Sequence, residues 1–206
     1  MFKRIILAFI VLLIAGNTGR AQVNFVDLGL SVDWASCNIG ANAPEEAGWF
    51  FSWGEVSPKS DYSVERHKYA VQHRVGDFLW KYDSQYQNIL EPEDDAATVI
   101  LGPGCHTPTP RECKELIARC KFEWTSKGGV DGYLVTGPNG ASIFLPLTGC
   151  MQGTKYTNKD RGYYLGSVLS SPIEAGSLWF MKKEECGFHG LSVAHGFPIR
   201  AVKDKR

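Results

Sequence analysis

Six cysteines, at positions 37, 105, 113, 120, 150 and 186, are the side chains in this sequence best equipped for chemistry. Cys37 lies in "SVDWASCNIGA", among alternating apolar residues. It could serve as a nucleophile, a metal ligand, half of a disulfide or a small buried side chain. A nucleophilic cysteine needs an accessible thiolate and a nearby base, and no histidine stands close to Cys37 in the chain. No C-x-x-C occurs, which argues against a zinc ribbon or a thioredoxin-type pair. G-x-S-x-G, H-E-x-x-H and the phosphate-binding glycine loop are also missing. His67, His73 and His106 lack ligand-like spacing and read as surface or capping residues. The acidic stretch "EPEDDAA" offers hard oxygens to a cation. The stronger reading is the charged start of a helix, where carboxylates meet the positive end of the dipole. The expectation is a chain with no catalytic residue, no metal and no cofactor.

Binding is the remaining chemistry. Tyr156, Tyr163, Tyr164, Trp179 and Phe188 lie in or beside a Gly-, Ser- and Thr-rich C-terminal stretch, together with His189 and His195. Aromatic rings with polar tips bury much area at little entropic cost, which suits contact with sugars or proteins. Tyr156 and His189 are expected to be the most exposed of the set. Trp179, in "SLWFM", reads as buried, and the Tyr163–Tyr164 pair has a structural alternative.

The chain opens with "MFKRIILAFIVLLIAGNTGRAQ". Two cations, an apolar run over residues 5–15 and small residues at Gly19 and Ala21 form the pattern of a secretory signal, cleaved after Ala21. The apolar run falls short of the roughly 20 residues of a membrane span. Removal of residues 1–21 leaves 19 basic against 22 acidic residues, a formal charge of −3. That balance argues against a nucleic-acid partner and against attraction to anionic lipid. Residues 22–206 have the length of one domain, about 185 residues. Six cysteines in an exported chain make three disulfides conceivable, and buried free thiols are the alternative.

The elements that must carry these residues are legible in part. Val26, Leu28, Leu30, Val32 and Trp34 alternate as in one half-buried strand. "WFFSWGE" reads as a second short strand ending at Gly54, and residues 64–90 are weakly patterned. "TPRECKELIARC" has Thr109 as N-cap, Pro110 at the first helical position and Glu112 closing a capping box. Cys113, Leu116, Ile117 and Cys120 then share one buried face. "FEWTS" reads as a strand. Tyr133–Val135 and Ile143–Leu145 flank "GPNG" as a hairpin. Residues 149–176 read as long loops interrupted by "GYYLGS", and "SLWFM" and "FPIRAV" as closing strands. Strands, then helices, then strands make an α+β domain.

Taken in order, "FVDLGLSVDWASCNIGANAPEEAGWFFSWGE", "LEPEDDAA", "TPTPRECKELIARCKFEWT", "GYLVTGPNGASIFLP", "RGYY" and "IRAV" resemble the Fibrobacter succinogenes major paralogous domain family of Bacteroidetes, over most of residues 25–202. That family looks like a branch of the C-type lectin-like superfamily, which also includes the formylglycine-generating enzymes. Here "CHTPT" replaces the family's "WRMPT", "GYYLGS" its "GYYWSS", and "IRAV" its "VRPV". The resemblance implies a C-type lectin-like fold, with two helices packed on twisted antiparallel sheets and long ligand-facing loops near the C-terminus. Cys37 and Cys120 fall where the family commonly holds Cys, which implies a Cys37–Cys120 disulfide or a buried pair. Cys105, Cys113, Cys150 and Cys186 are additions to the pattern. A Cys150–Cys186 bridge would restrain residues 151–185 by about 3–4 kcal/mol, with Cys105 and Cys113 as the remaining pair.

The superfamily's oxidase chemistry resembles a close pair of cysteines near the C-terminus, and only Cys186 lies there. Its calcium-dependent sugar binding uses E-P-N and W-N-D motifs; this chain has "GPNG" and "LWFM" instead. The expected function is calcium-free, non-catalytic binding of a glycan or a cell-surface protein, without membrane insertion after signal cleavage. The alternative is a structural module of a surface assembly.

Overall fold

The structure, a computed structural model, describes residues 23–69, 71–73, 77–79, 81, 82, 86–182 and 186–205, with 71–73 and 77–79 described by backbone alone. The expected signal segment and the side chain of His73 lie outside the described residues. No described helix is long and apolar enough to cross a membrane.

The N-terminal alternation does not form one strand. β1 (Phe25–Val26) and β2 (Val32–Ala35) pair antiparallel as a hairpin, Phe25 opposite Ala35. The chain reverses over residues 27–31, where Gly29 takes φ 77° and donates its N–H to Asp27 Oδ1 at 2.7 Å. Leu28 and Leu30 are nevertheless buried. A period-two pattern records burial, and the tip of this hairpin is covered as well as its strands. "WFFSWGE" likewise buries Phe51 and Trp53 without becoming a strand; it makes one antiparallel bridge, Phe51 to Phe197.

Residues 64–66 form a turn of 3-10 helix, and β3 (Val71–His73) pairs with β4 (Asp77–Leu79). α1 (Ala96–Leu101) follows, then β5 (Cys105–His106) and α2 (Pro110–Arg119). The expected capping box of α2 is present: Thr109 accepts from the Glu112 N–H, and Glu112 reaches back to the Thr109 N–H at 2.7 Å. Such a cap contributes about 1 kcal/mol. Cys113 and Leu116 are buried beneath the helix, with Ile117 and Cys120 half-buried beside them.

β6 (Lys121–Lys127), β7 (Val130–Thr136) and β8 (Ser142–Pro146) make a three-stranded antiparallel sheet, with the "GPNG" turn joining the last two. The stretch expected as loops is strand-rich instead. β9 (Cys150–Gln152) pairs with β10 (Lys155–Thr157). β11 (Arg161–Ser171), β12 (Glu174–Met181) and β13 (Gly187–Ser192) form a second three-stranded sheet. Its glycines are packing devices, not turn signals: a Cβ on Gly162 would strike the Phe180 ring, and one on Gly166 the Gly176 carbonyl. Glycine in a strand interior marks such a close approach. "FPIRAV" contributes only the start of β14 (Val202–Asp204), which lies between β2 and β5, so both ends of the domain share one sheet.

The β11–β12–β13 sheet separates two cores. Tyr163, Leu165, Trp179 and Leu191 pack toward the first, with Phe51, Trp53 and Phe197. Tyr164, Leu178, Phe180 and Phe188 pack toward the second, with Leu28, Trp34, Leu116 and Leu145. Arg200 is wholly buried; it donates to the Ala35 carbonyl at 3.2 Å and to the Phe144 carbonyl at 2.9 Å. One guanidinium thus joins β2, β8 and the run into β14.

All six cysteines are free, so the expected disulfides are not formed. Cys37 is a small buried side chain whose thiol donates to the Ala41 carbonyl at 3.7 Å. Cys150 belongs to the first core and Cys186 packs on the second, with the dividing sheet between them. Cys113 shares the second core with Cys186 and with Cys120. Burial raises the thiol pKa of Cys105, Cys113, Cys120 and Cys186, in the last case to about 12. Slow alkylation of the native protein is expected, and a count of six thiols under denaturing, non-reducing conditions; a lower count by intact mass would reveal a bridge.

Arg200→Ala removes two charged hydrogen bonds and orphans two buried carbonyls. A stability loss of roughly 3 kcal/mol is expected in urea titration. A change below about 1 kcal/mol would show that the carbonyls find other donors.

Candidate functional site

The expected contact residues divide between core and surface. Adjacent strand residues point to opposite faces, and the register β11–β12–β13 decides which side each takes. Tyr163 is buried opposite Trp179, with its ring 5.5 Å from that of Phe197. Tyr164 is buried on the other face, and its hydroxyl donates to the Pro146 carbonyl at 2.7 Å. Both are core residues, not surface contacts. Phe188 also faces the second core, half-buried, with the Lys114 ammonium 5.5 Å from its ring centre. Its neighbour His189 faces the other way and is exposed.

Trp179 and His189 come together, edge to face at 5.0 Å, with Trp179 half-buried. Gly187 makes the approach possible, because a Cβ there would stand 2.7 Å from Trp179 Nε1. Arg161 lies on the same face, two residues before Tyr163, and donates to the Tyr163 hydroxyl at 3.3 Å. These side chains sit on strands of the sheet; Arg161 falls in the stretch expected as loops, and Trp179 in one expected as a strand.

Tyr156 projects from the β9–β10 hairpin and is 44% exposed. Its hydroxyl donates to the Thr148 carbonyl at 2.9 Å, which fixes the ring. Phe50 packs edge-on at 5.7 Å, and the Lys159 ammonium stands 4.8 Å from the ring centre. Lys159, three residues beyond Tyr156, had a signal in its spacing across a turn. Phe50 had none, since it is brought in from the far end of the chain.

A second polar cluster surrounds "EPEDDAA". Asp94 is buried, and its carboxylate accepts from Lys81 Nζ at 2.6 Å, Tyr82 Oη at 2.6 Å, Lys68 Nζ at 3.0 Å and the Tyr69 hydroxyl. Burial alone would raise its pKa; the four donors overcome that and hold it far below the ordinary carboxylate range. Asp95 caps α1 through the Ala97 N–H and accepts both the N–H and hydroxyl of Thr107. Protein donors therefore occupy Asp94 and Asp95, while Lys81 Nζ also stands 2.6 Å from Glu91 and 3.8 Å from the exposed Glu93. Among the described residues, no group of three or more His, Cys, Asp or Glu converges as metal ligands.

His106 shares its Nε2 with Glu112 at 3.0 Å; burial works against its charge, but that carboxylate raises its pKa on balance. His67 behaves in the opposite way. It is buried beside Trp53, where Nε2 meets the Trp53 carbonyl at 2.8 Å and Nδ1 accepts the Tyr69 N–H at 3.2 Å. The neutral ring satisfies both contacts, and burial lowers its pKa from 6.5 to about 4.

Together these features define an α+β domain built largely of antiparallel sheet, with two α-helices among the described residues. Comparison with family models, curated proteins and solved structures finds no match for this chain.

The His67 shift has a consequence for stability. Below pH 6.5 the unfolded chain takes up a proton that the folded chain refuses until about pH 4. Stability is therefore fully present above pH 6.5 and falls through that window, by up to about 3 kcal/mol from this one group. His67→Gln should flatten the slope between those limits in urea titrations at stepped pH. An unchanged slope would assign the acid sensitivity elsewhere.

Proposed function

We propose that this chain is an exported, non-catalytic binding domain of C-type lectin-like fold, related to the Fibrobacter succinogenes major paralogous domain family. It takes a glycan or protein ligand, without calcium, through the surface of its C-terminal half. The observation that carries the proposal is the pair of fixed aromatic groups on that half: Tyr156 with Phe50 and Lys159, and Trp179 with His189. Tyr156 is anchored by its hydroxyl and Trp179 by the bare backbone of Gly187, so a ligand meets rings already in place. Pre-ordered rings reduce the entropy lost on binding. The paired chain ends and a helix packed against the β12–β13 strands support the fold reading.

The test is a glycan array probed with residues 22–206, with and without chelator, beside the Tyr156→Ala, His189→Ala double variant. Chelator-insensitive binding lost in the double variant is the expected result. Binding abolished by chelator, or binding untouched by the two substitutions, overturns the proposal. An empty array together with concentration-dependent association in sedimentation would favour a structural module of a surface assembly. The exposed Tyr86, Ile89, Val99 and Ile173 would then be the residues to examine.

A further inference from the structure

The β6–β7–β8 sheet carries a cleft of about 290 Å3, and Ile143 of the second core is among its lining residues. Its walls are rich in hydroxyls, from Ser36, Thr125, Ser126 and Ser142. None of these four hydroxyls makes a hydrogen bond within the described residues. Its floor is apolar. Leu134 and Phe144 stand directly opposite each other on β7 and β8, and so lie side by side on one face. The Phe144 ring extends across Gly132, where a Cβ would come within 2.8 Å of it. Thr125 is the cross-strand partner of Gly132, which sets its hydroxyl beside the ring. Lys127 is the one charged side chain among the lining residues.

We propose that this cleft binds a single ring of a neutral sugar. A pyranose presents a C–H face and a rim of hydroxyl groups. The Leu134–Phe144 floor matches the first. Serine and threonine hydroxyls, which both donate and accept, match the second. The cleft volume falls at the lower limit of small-molecule sites, roughly 300–1,000 Å3, so it takes one ring and not an extended chain. No carboxylate lines it to select a cation, and a lone lysine on a flexible stem is a weak anchor for an anion. The site uses none of Tyr156, Trp179 and His189 and stands on a different sheet. It is therefore independent of the reading given above for the C-terminal half.

The probes are the methyl glycosides of glucose, galactose, mannose and N-acetylglucosamine, titrated into the 22–206 chain with labelled methyl groups. A saturable shift of the Leu134 and Ile143 methyl signals by at least one glycoside is expected. Thr125→Val with Ser142→Val should weaken that binding roughly tenfold, since two hydrogen-bonding groups are lost. Leu134→Trp, which fills the floor, should abolish it, and Tyr156→Ala should leave it unchanged. Thr125 and Ser142 are exposed, so the valine variant keeps its core, and its remaining methyl spectrum verifies the fold. If no glycoside moves the Leu134 and Ile143 signals, or if binding survives both the valine pair and Leu134→Trp, the proposal is wrong.

Discussion

Arg200 carries a positive charge to a place without solvent access, and the chain around it is arranged to hold that charge. Burial works against the guanidinium and lowers its pKa, and no carboxylate hydrogen-bonds to it. Its neighbours are the carbonyls of Ala35 and Phe144 and the hydroxyl of Tyr164. An isolated buried ion is tolerated only where hydrogen bonds replace its hydration. The N-terminal hairpin, the middle sheet and the C-terminal segment must therefore all be in register before the charge is accommodated. That requirement makes three distant pieces of chain interdependent.

The same economy of polar groups runs through the rest of the molecule. Asp94 gathers four donors, Asp95 caps α1 and holds Thr107, and Glu112 serves both the α2 cap and His106. Asp94, Asp95 and Glu112 are thus each engaged by protein donors. Ser36, Thr125, Ser126 and Ser142 line the cleft of the middle sheet, and the Trp179–His189 pair lies on a separate sheet.

The β11–β12–β13 sheet explains why neighbours in sequence have different duties. Tyr163 and Tyr164 serve opposite cores, and Phe188 and His189 divide between a core and the surface. Glycines 162, 166, 176 and 187 allow rings and backbones to approach closely on both faces. A glycine-rich composition that suggests loops is, in this sheet, the condition for tight packing.

What the sequence determined by itself is local. The α2 capping box and apolar face, the β7–β8 hairpin and the helix start at Asp95 each depend on residues within one or two turns of one another. Those signals survive because the partners are close in the chain. The tertiary structure decided the rest. Whether the Val26–Trp34 alternation was one strand or a hairpin depended on what covered Leu28 and Leu30. Cys150 and Cys186 were separated by a sheet that forms only when β11, β12 and β13 pair. The joining of Phe50 to Tyr156, and of Ser36 to the hydroxyls of β6 and β8, spans about half the chain and leaves no trace in local spacing. Periodicity reports burial, and burial is the same on either side of a turn. Partner choice is settled only by the packing of distant segments.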